Sequence, residues 1–510
     1  MIGPLGPLGP RGVVAAGHPL CAQAGAEVLG EGGNAVDAAL GAMLAALACE
    51  PLLTGLGAGG YMLVAGVGGS PPVLLDFFVE APGRGAPDAG PAPRPPAELV
   101  PVEISFGDAV QVFHVGVASV GTHGFPAGVA EAARRFGTVA LERLTAPAVR
   151  LARRGVPLSP AQAHIIELLA PIVTSTPEAA ALFAPGDRLL RAGDTLRQPE
   201  LADALQRLGA EGAAPFYTGD IGVAIADWLA ARGGLVSAAD LAAYAVTDRE
   251  PLRVAYRGRE VLTNPPPSPG GLLLARALSL LDSAPSPPPV TAIVDAMRTA
   301  QQERTDDFLA GLQAPGFATR FLARGPSRLG STTHVAVLDR DGGACSVTCS
   351  NGSASGVIVP GTGVHLNNML GESDLNPGGF HRHPAGRRMP SMMSPTVLLG
   401  PDRDHAPELA VGSAGSNRIR SAILQTIVRC VDERLPASEA VRAPRAHYED
   451  GVVYAEPGID VAALQGAGHT VRLFRAPNLF FGGAQAAARG RDGAVSGGGD
   501  PRRGGAAVLV

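Results

Sequence analysis

The chain has 510 residues, of which 46% are apolar and 17% charged, a composition that is typical of a compact globular protein and excludes an intrinsically disordered one. Its formal net charge of -5 is small for this length. No run of basic residues is present to follow a phosphate backbone, so we expect no nucleic-acid partner. All 41 residues counted as lysine or arginine are arginine. The absence of lysine excludes a Schiff-base lysine, a pyridoxal-phosphate enzyme and a Walker-type phosphate loop.

Five cysteines are spread thinly along the chain, which argues against a disulfide framework. The N-terminus has neither the basic segment nor the apolar segment of a secretory signal. The most apolar window, residues 35–56, contains Asp37, Glu50 and Pro51 and is therefore a poor membrane span. We therefore expect a cytoplasmic protein that makes no membrane contact.

The N-terminal part of the chain is predicted to be mainly helical. Asn34 is a good N-cap, with Asp37 at the capping-box position, for a helix over 35–48. The glycines Gly55, Gly57 and Gly60 then match a GxGxxG string, but they follow a helix and precede a strand, the reverse of a dinucleotide fingerprint. Residues 85–102 are rich in proline and alanine and are predicted to form an exposed loop. Further helices are predicted at 129–136, 144–154, 161–170, 201–208, 221–231, 238–244 and 270–281.

The C-terminal part is predicted to be richer in strands. Residues 252–262 are typical of a hairpin, and 284–289 form a proline-rich linker. From residue 332 onward, strands and glycine-rich turns dominate until a helix over 418–433. Because helices come first and strands second, the order favours the α+β class with one interleaved core over two independent domains.

One threonine in this part carries a possible chemistry. Thr332 stands just before an apolar strand over 335–338, and the turn signal Asp341-Gly342-Gly343 leads into a second strand over 344–348. If the chain is cut before Thr332, the residue has both a hydroxyl nucleophile and a free α-amine as its own general base. That is the chemistry of an N-terminal-nucleophile amidohydrolase. Taken alone, these residues favour an ordinary turn before a strand.

Eight blocks spread over nearly the whole chain change this interpretation. They are residues 31–39, 59–63, 265–271, 332–334, 366–368, 393–396, 443–445 and 499–502. In sequence and order they resemble the γ-glutamyltranspeptidase family of the N-terminal-nucleophile hydrolase superfamily. The resemblance implies a four-layer αββα sandwich built by two fragments of one precursor. It also implies self-cleavage of the Ser331–Thr332 bond, which gives a large subunit, 1–331, and a small subunit, 332–510, held together without a covalent link.

The resemblance also implies a mechanism that needs no metal ion and no cofactor. The Thr332 hydroxyl attacks an amide carbonyl of a γ-glutamyl donor, and the acyl-enzyme is released by water or an amine. Ser350 lies where the family keeps a hydroxyl that hydrogen-bonds the nucleophile. Gly415 and Ser416 resemble the paired-glycine loop whose backbone N–H groups stabilise the oxyanion, a contribution of roughly 3 kcal/mol per donor. Ser416 replaces the second glycine and keeps its backbone donor if the required φ does not demand glycine.

The predicted donor-binding residues depart from the family pattern. Asn351 lies where an asparagine contacts the α-amino acid end of the donor. Glu372 falls near the acid that pairs with the donor's α-ammonium, although a surface glutamate is an equally good interpretation. Ser391-Met392 replaces a serine pair that holds the donor carboxylate, and Met392 has no hydrogen to donate. Phe78 stands where the family has a carboxylate-clamping arginine, and its ring, which is also compatible with a plain core position, offers no such bonds.

Three functions therefore stay open. The first is hydrolysis or transfer of a γ-glutamyl group. The second is an amidase or acyltransferase with the same machinery and a different acyl donor, in a biosynthetic pathway, which Phe78 and Met392 favour unless Arg84 takes over the clamp. The third is an unprocessed, inactive scaffold, against which the intact Thr332, Ser350 and Gly415 argue.

Overall fold

Two β-sheets lie face to face, and helices cover the outer face of each. The computed structural model describes residues 10–85, 97–105, 110–303, 312, 332–376, 378–401, 405–415, 417–490 and 492–510. Two predicted site residues, Ser331 and Ser416, lie outside these ranges. No helix among the described residues is both long and apolar enough to cross a membrane.

The helices of the described part of the chain precede and follow a central strand-rich region. They are α1 Pro19–Gly30, α2 Ala35–Cys49, α3 Phe125–Phe136, α4 Leu141–Arg154, α5 Pro160–Leu168, α6 Ala170–Val173, α7 Pro177–Phe183, α8 Pro199–Glu211, α9 Asp220–Ala230, α10 Ala238–Ala242, α11 Pro269–Asp282, α12 Val290–Gln302, α13 Arg418–Val431, α14 Ala437–Arg442 and α15 Val461–Gly466.

The strands are distributed over the whole described chain. They are β1 Gly12–Ala16, β2 Gly59–Ala65, β3 Val73–Phe77, β4 Val100–Ser105, β5 Val110–Val115, β6 Val156–Pro157, β7 Thr195–Leu196, β8 Thr247–Arg249, β9 Leu252–Tyr256, β10 Arg259–Thr263, β11 Thr333–Asp339, β12 Ala344–Ser350, β13 Ile358–Val359, β14 Val364–His365, β15 Thr396–Leu399, β16 Pro407–Ala414, β17 Ala446–Glu449, β18 Val452–Ala455, β19 Thr470–Leu473, β20 Gly483–Arg489, β21 Val495–Gly499 and β22 Ala506–Leu509.

Two of the sheets form the central layers. The seven-stranded sheet has the order β22-β1-β11-β12-β2-β3-β8, and the six-stranded sheet has the order β21-β20-β16-β15-β10-β9. Neighbouring strands in both sheets are antiparallel. The alternation of side chains along β1 explains the layering, since Val14 and Ala16 pack against α1 and α2 while Val13 and Ala15 face the six-stranded sheet. With α11 and α13 on its far side, the structure confirms the predicted αββα sandwich.

The chain segments before and after residue 332 are interleaved in both central sheets. β11 and β12 insert between β1 and β2, and β15 pairs with β10. A cut at the predicted cleavage point would therefore leave two pieces joined by ladders of backbone hydrogen bonds and by a shared core. The division into subunits 1–331 and 332–510 stays a prediction.

The structure confirms the predicted helices, most of them with longer ends, and the hairpin formed by β9 and β10. The Asn34 capping box of α2 is present, with Asp37 accepting from the Asn34 backbone. The helix predicted over 161–170 is divided into α5 and α6. Helices α1, α7, α12, α14 and α15 were not predicted. Residues 86–96 of the loop predicted over 85–102 lie outside the described residues, and the prediction is wrong at its end, because residues 100–105 form β4. Their alternation of Val100, Val102 and Ile104 with polar residues and proline was hidden by the neighbouring proline-rich run.

The close approach of α1 to α2 yields a prediction about stability. A Cβ on Gly25 of α1 would lie 2.6 Å from the Ala38 carbonyl oxygen and 3.0 Å from the Ala42 Cβ. We expect Gly25→Ala to lower the free energy of unfolding by about 1–3 kcal/mol, because overpacking outweighs the gain in helix propensity. Urea unfolding followed by circular dichroism measures the change.

Gly466→Ala at the end of α15 is the matched control, because an added Cβ there meets no atom within 4 Å. We expect that variant to be as stable as the parent or slightly more stable. Equal stability of the two variants would contradict the proposed packing of α1 on α2.

Candidate active site

Thr332 lies directly before β11 and is 1% exposed. Its neighbour Thr333 pairs with Cys349, so the antiparallel register of β11 and β12 sets Thr332 opposite Ser350. Ser350 pairs in turn with Gly59 of β2. The predicted nucleophile and the predicted hydroxyl partner are therefore cross-strand neighbours at one end of the seven-stranded sheet.

The same row continues to the predicted donor site. Gly60 pairs with Phe77 across β2 and β3, which sets Gly59 opposite Phe78. A Cβ on Gly59 would lie 2.7 Å from the Val79 backbone nitrogen, so only glycine fits at this point of the row. By the alternation of the strands, the row faces the six-stranded sheet.

A cavity of about 260 Å³ opens beside this row, between the two sheets. It brings together six of the residues that the sequence predicts for the site, namely Thr332, Ser350, Glu372, Ser391, Met392 and Phe78. Its other described lining residues, which sequence reasoning missed, are Gly352, Met369, Leu375, Met393 and Ile419. Two of these had a signal, since Met369 follows the block 366–368 and Met393 opens the block 393–396.

A tight turn after β12 shapes the cavity wall. The Gly352 backbone N–H donates to the Ser350 hydroxyl oxygen at 2.8 Å. Gly352 has a φ of +66°, and a Cβ there would lie 2.0 Å from the Asn368 Oδ1. Glycine is therefore required at this position, both by the backbone conformation and by the close approach of Asn368.

Glu372 is 3% exposed and lines the cavity, so its interpretation as a surface residue is wrong. Its carboxylate accepts from the Ser353 backbone N–H at 3.1 Å. Burial raises the pKa of Glu372 to about 7, because the charged form loses its hydration. The side chain is thus divided between its neutral and charged forms near neutral pH, and a cationic ligand would favour the charged form.

The segment that carries Ser391 and Met392 is held by the motif at residues 265–271. The Ser268 hydroxyl donates to the carbonyl oxygens of Ser391 and Met393, the latter at 3.2 Å. A Cβ on Gly270 would lie 2.2 Å from the Met392 carbonyl oxygen. The serine and the glycine of this motif therefore position one wall of the cavity, which explains why they occur together.

Two further predicted residues lie outside the described lining of the cavity. The Asn351 side-chain amide donates to the His365 carbonyl oxygen at 3.2 Å, below the turn that follows β12. Gly415 follows β16 with a φ of +109°, and a Cβ there would lie 2.7 Å from the Gly482 Cα. Its role in an oxyanion hole, the role of Ser416 and the donor contact of Asn351 stay predictions.

The arginines nearest to Phe78 are engaged elsewhere. Arg84 forms an ion pair of 2.7 Å with Glu80. Arg388 donates to the Phe78 carbonyl oxygen at 2.5 Å and lies 3.4 Å from the Asp76 carboxylate. Neither arginine lines the cavity, and the described lining residues include no basic side chain. The loss of the clamp at Phe78 is therefore not compensated by a neighbouring guanidinium among these residues.

The residues that follow Thr332 are engaged in structural hydrogen bonds. His334 Nδ1 shares a hydrogen bond of 2.8 Å with the Thr348 hydroxyl, and burial lowers the pKa of His334 to about 3. A Cβ on Gly412 would lie 2.3 Å from this ring, so β16 packs closely on it. The Thr333 hydroxyl donates to the Glu50 carboxylate at 3.0 Å, and burial raises the pKa of Glu50 to about 7. The one histidine near Thr332 on its strand is thus neutral and packed in the core.

One group of side chains among the described residues has metal-ligand chemistry. Atoms of His18, Cys21 and Cys49 lie within 4.8 Å of one another, and all three residues are buried. The His18 Nδ1 accepts from the Leu20 backbone N–H at 3.2 Å and caps α1, which leaves only Nε2 for a ligand. A hydrogen bond from Cys21 lowers the pKa of the Cys49 thiol. The group lies outside the cavity beside Thr332.

The fold and the comparisons with known proteins define an enzyme of the N-terminal-nucleophile hydrolase class. The family model for gamma-glutamyltranspeptidase matches residues 21–321 and 313–510, and the chain belongs to this family. It is 33% identical over 528 residues to the acylase ACY 1 proenzyme of Pseudomonas sp. (strain V22), with 96% of this chain and 91% of that protein covered.

A second relative is the glutathione hydrolase proenzyme of Bacillus subtilis (strain 168). It is 30% identical over 515 residues, with 90% of this chain and 85% of that protein covered. The crystal structure of cephalosporin acylase from Bacillus halodurans superposes with a TM-score of 0.80 at 25% identity, covering 100% of this chain and 99% of that one. The relatives thus include both acylases and a glutathione hydrolase.

The buried carboxyl of Glu372 yields a prediction about pH. Its pKa is higher in the folded state than its ordinary value of 4.5, so the folded protein binds the proton more tightly than the unfolded chain. The wild type should therefore lose stability as the pH rises from about 4.5 to 7. Glu372→Gln has no carboxyl group to titrate at this position. Relative to the wild type, we therefore expect its free energy of unfolding to rise over that window by on the order of 3 kcal/mol.

Chemical unfolding at a series of pH values measures this difference. Glu439→Gln, at an exposed position, serves as the reference variant for the same substitution. A difference between Glu372→Gln and the wild type that does not change with pH would contradict the account of Glu372.

Proposed function

We propose that this protein is a self-cleaving amidohydrolase or acyltransferase that uses Thr332 as its nucleophile and prefers an acyl donor without a free carboxylate. One observation carries the choice of donor. The cavity beside Thr332 is lined largely by apolar side chains, and no basic one is present among its described lining residues. Maturation through an N-terminal threonine fits the two relatives that are named proenzymes.

In maturation, the Thr332 hydroxyl attacks the carbonyl carbon of Ser331, and the peptide nitrogen takes the hydroxyl proton and leaves as the free Thr332 α-amine, which converts the amide into an ester. Water then hydrolyses the ester, which frees the Ser331 carboxylate and restores the Thr332 hydroxyl. The interleaving of β11 and β12 between β1 and β2 supports this step, because the strands hold both new ends in one fold after the cut.

In turnover, the α-amine takes the proton of the Thr332 hydroxyl as the oxygen attacks the substrate amide. The protonated amine then gives its proton to the leaving amine, and an acyl-enzyme ester remains. Water or a second amine attacks this ester in the same way. Backbone N–H groups of Gly415 and Ser416 would stabilise the oxyanion in both steps. The neutral, hydrogen-bonded His334 is a poor alternative base, which supports the assignment to the α-amine.

Physical chemistry links the apolar cavity to the donor. A carboxylate placed against Phe78 and Met392 would lose its hydration without gaining an ionic or hydrogen-bonded partner there. An alkyl acyl chain loses nothing by the same transfer and gains from the removal of its apolar surface from water. The match to acylase ACY 1 and to cephalosporin acylase agrees with a donor other than glutathione.

Hydrolysis or transfer of a γ-glutamyl group is the second candidate. The buried Glu372 favours it, because this acid lines the cavity where the α-ammonium of such a donor would bind. The hydroxyl of Ser391 also lines the cavity and can donate to a carboxylate. The two candidates share the nucleophile and differ only in the donor.

Cleavage is tested by the mass of the denatured protein. With a mean residue mass of about 101 Da, from 51.6 kDa over 510 residues, we expect pieces of about 33 and 18 kDa, the smaller one beginning with Thr332. Thr332→Ser keeps a hydroxyl and should still be cut, whereas Thr332→Ala should stay whole. A wild type that remains at full length would leave Thr332 without a free amine and would favour an inactive scaffold.

Donor choice is tested with four 4-nitroanilides that share a four-carbon acyl backbone. The γ-glutamyl compound carries an amine and a carboxylate, the glutaryl compound only the carboxylate, the 4-aminobutyryl compound only the amine and the butyryl compound neither. We expect kcat/KM for the two compounds without carboxylate to be at least about tenfold higher, since an unpaired buried carboxylate costs about 1–3 kcal/mol or more.

A variant pair sharpens this test. Met392→Ser supplies one hydrogen-bond donor for a carboxylate. It should reduce the ratio of kcat/KM between the compounds without and with a carboxylate about tenfold, because a hydrogen bond to a charged group contributes about 1.5 kcal/mol. Met392→Leu keeps the side-chain volume but adds no hydrogen-bond donor, so it should leave this ratio of kcat/KM unchanged. A wild type that prefers the γ-glutamyl anilide would instead select the second candidate.

A further inference from the structure

An apolar groove lies on the other side of the turn that follows β12. Two adjoining cavities of about 400 and 330 Å³ form it, and both are lined by Leu52, Leu53, Ile165 and Arg503. Gly352 lines the larger of these cavities and also the cavity beside Thr332. We call this pair of cavities the outer groove. Because Gly352 lines both, the outer groove begins where the cavity beside Thr332, the proposed site of the acyl group, ends.

The lining of the outer groove is apolar except at a few points. Its walls include Leu52, Phe113, Ile165, Leu168 and Leu479. Such a surface suits an aromatic or aliphatic group, and its burial would contribute about 25 cal/mol for each Å² of apolar surface removed from water.

Arg503 is the charged residue that both cavities share. Among the described residues its guanidinium forms no ion pair, although the charges of Asp500 and Glu50 act on it from a greater distance. The residue is 9% exposed, and its Nε is buried with no hydrogen-bond partner among the described residues. Its Nη2 lies 3.5 Å from the Leu479 carbonyl oxygen, which is a marginal contact. A buried cation without a partner carries a large cost in lost hydration, which an anionic ligand would offset.

Asp500, one of the two acids whose charge acts on Arg503, is already paired with other arginines. Asp500 lies 2.6 Å from Arg445 Nη1 and 3.1 Å from Arg502 Nη1. Glu456 pairs with Arg502 as well. Burial lowers the pKa of Arg503 to about 10, so this side chain remains charged at neutral pH. Its charge is thus available to a ligand.

Glu50 is the acid that lines the smaller cavity of the outer groove. Its carboxyl group is engaged by the Thr333 hydroxyl at 3.0 Å. Because burial raises the pKa of Glu50 to about 7, its charge is reduced near neutral pH. Glu50 therefore opposes an anion in the groove less than an exposed carboxylate would.

The position of Arg503 ties the outer groove to the reaction centre. A Cβ on Gly415 would lie 3.1 Å from Arg503 Nη2, so the guanidinium packs against the predicted oxyanion loop. The Arg503 stem runs over Gly483, where a Cβ would lie 2.4 Å from Arg503 Cδ. The charge is therefore within reach of the part of a substrate that lies just beyond the scissile amide.

We propose that the outer groove binds the amine portion of the substrate and that Arg503 recognises a carboxylate on this otherwise apolar amine. The inference rests on the proposed amidohydrolase function. It concerns the part of the substrate that the cavity beside Thr332 does not hold. In hydrolysis the ligand is the leaving amine, and in transfer it is the acceptor. Arg503 thus acts as a specificity residue for the amine.

The test compares two anilides that differ only in the leaving amine. One releases 4-nitroaniline and the other 3-carboxy-4-nitroaniline, and both carry whichever of the four acyl groups the wild type hydrolyses fastest. We expect the wild type to prefer the carboxylated anilide by about tenfold or more in kcat/KM, mainly through KM, since the carboxylate gains a charged hydrogen-bonded partner. Arg503→Gln should abolish the preference, and Arg503→Lys should keep part of it.

Arg253→Gln is the control for the loss of one positive charge, because Arg253 lies on β9 in an exposed ion pair with Glu260. That variant should keep the full preference. Thermal melting and the mass of the two fragments show whether each Arg503 variant is folded and cut.

Each contrary result overturns the proposal in a different way. A wild type without preference for the carboxylated anilide contradicts the subsite, whether or not the variants fold. An equal loss of kcat on both anilides in Arg503→Gln would assign Arg503 to the oxyanion instead. If the wild type releases neither chromophore, the amidohydrolase function fails and the subsite fails with it.

Discussion

The register of β12 between β11 and β2 is the constraint on which the site depends. It sets Thr332, Ser350, Gly59 and Phe78 in one row that faces the six-stranded sheet. A shift of one residue in this pairing would turn Thr332 toward the helices α1 and α2 and away from the cavity. The buried alternation of β11, with Val335 against the helices and Ala336 against the second sheet, makes such a shift costly. The core of the protein thus determines where Thr332, the proposed nucleophile, points.

Two unlike environments adjoin this row and give the substrate its direction. On one side, the cavity beside Thr332 holds an acid, Glu372, among methionines and Phe78. On the other side, the outer groove holds a guanidinium, Arg503, among leucines, and its acid, Glu50, is engaged by Thr333. The turn at Gly352 separates them, and its positive φ allows Asn368 to approach the backbone closely. The proposed reaction, with an apolar acyl group on one side and an apolar carboxylated amine on the other, follows from this division of charge.

Local signals in the sequence were sufficient for much of the fold and for the centre of the site. The Asn34 cap, the apolar run after it and the hairpin around Gly342 depend on neighbouring residues only, and the structure has them as predicted. Strand β4 was missed because its alternation stands beside a proline-rich run, and its pairing with β5 adds a contact that the local pattern does not contain. The blocks that resemble the family led to Thr332, Ser350, Ser391 and Met392, which the fold assembles around one cavity.

By itself, the sequence determined the class of the fold, the place of the proposed nucleophile and the absence of an arginine at Phe78, because each depends on residue identity and local pattern. Only the tertiary structure decided that Glu372 is buried, that Arg84 pairs with Glu80 and that the buried Arg503 Nε has no hydrogen-bond partner among the described residues. Burial and pairing are properties of residues distant in sequence that packing brings together, such as Gly415 beside Arg503. A single sequence carries no measure of those distances, and the chemistry of a buried charge depends on them.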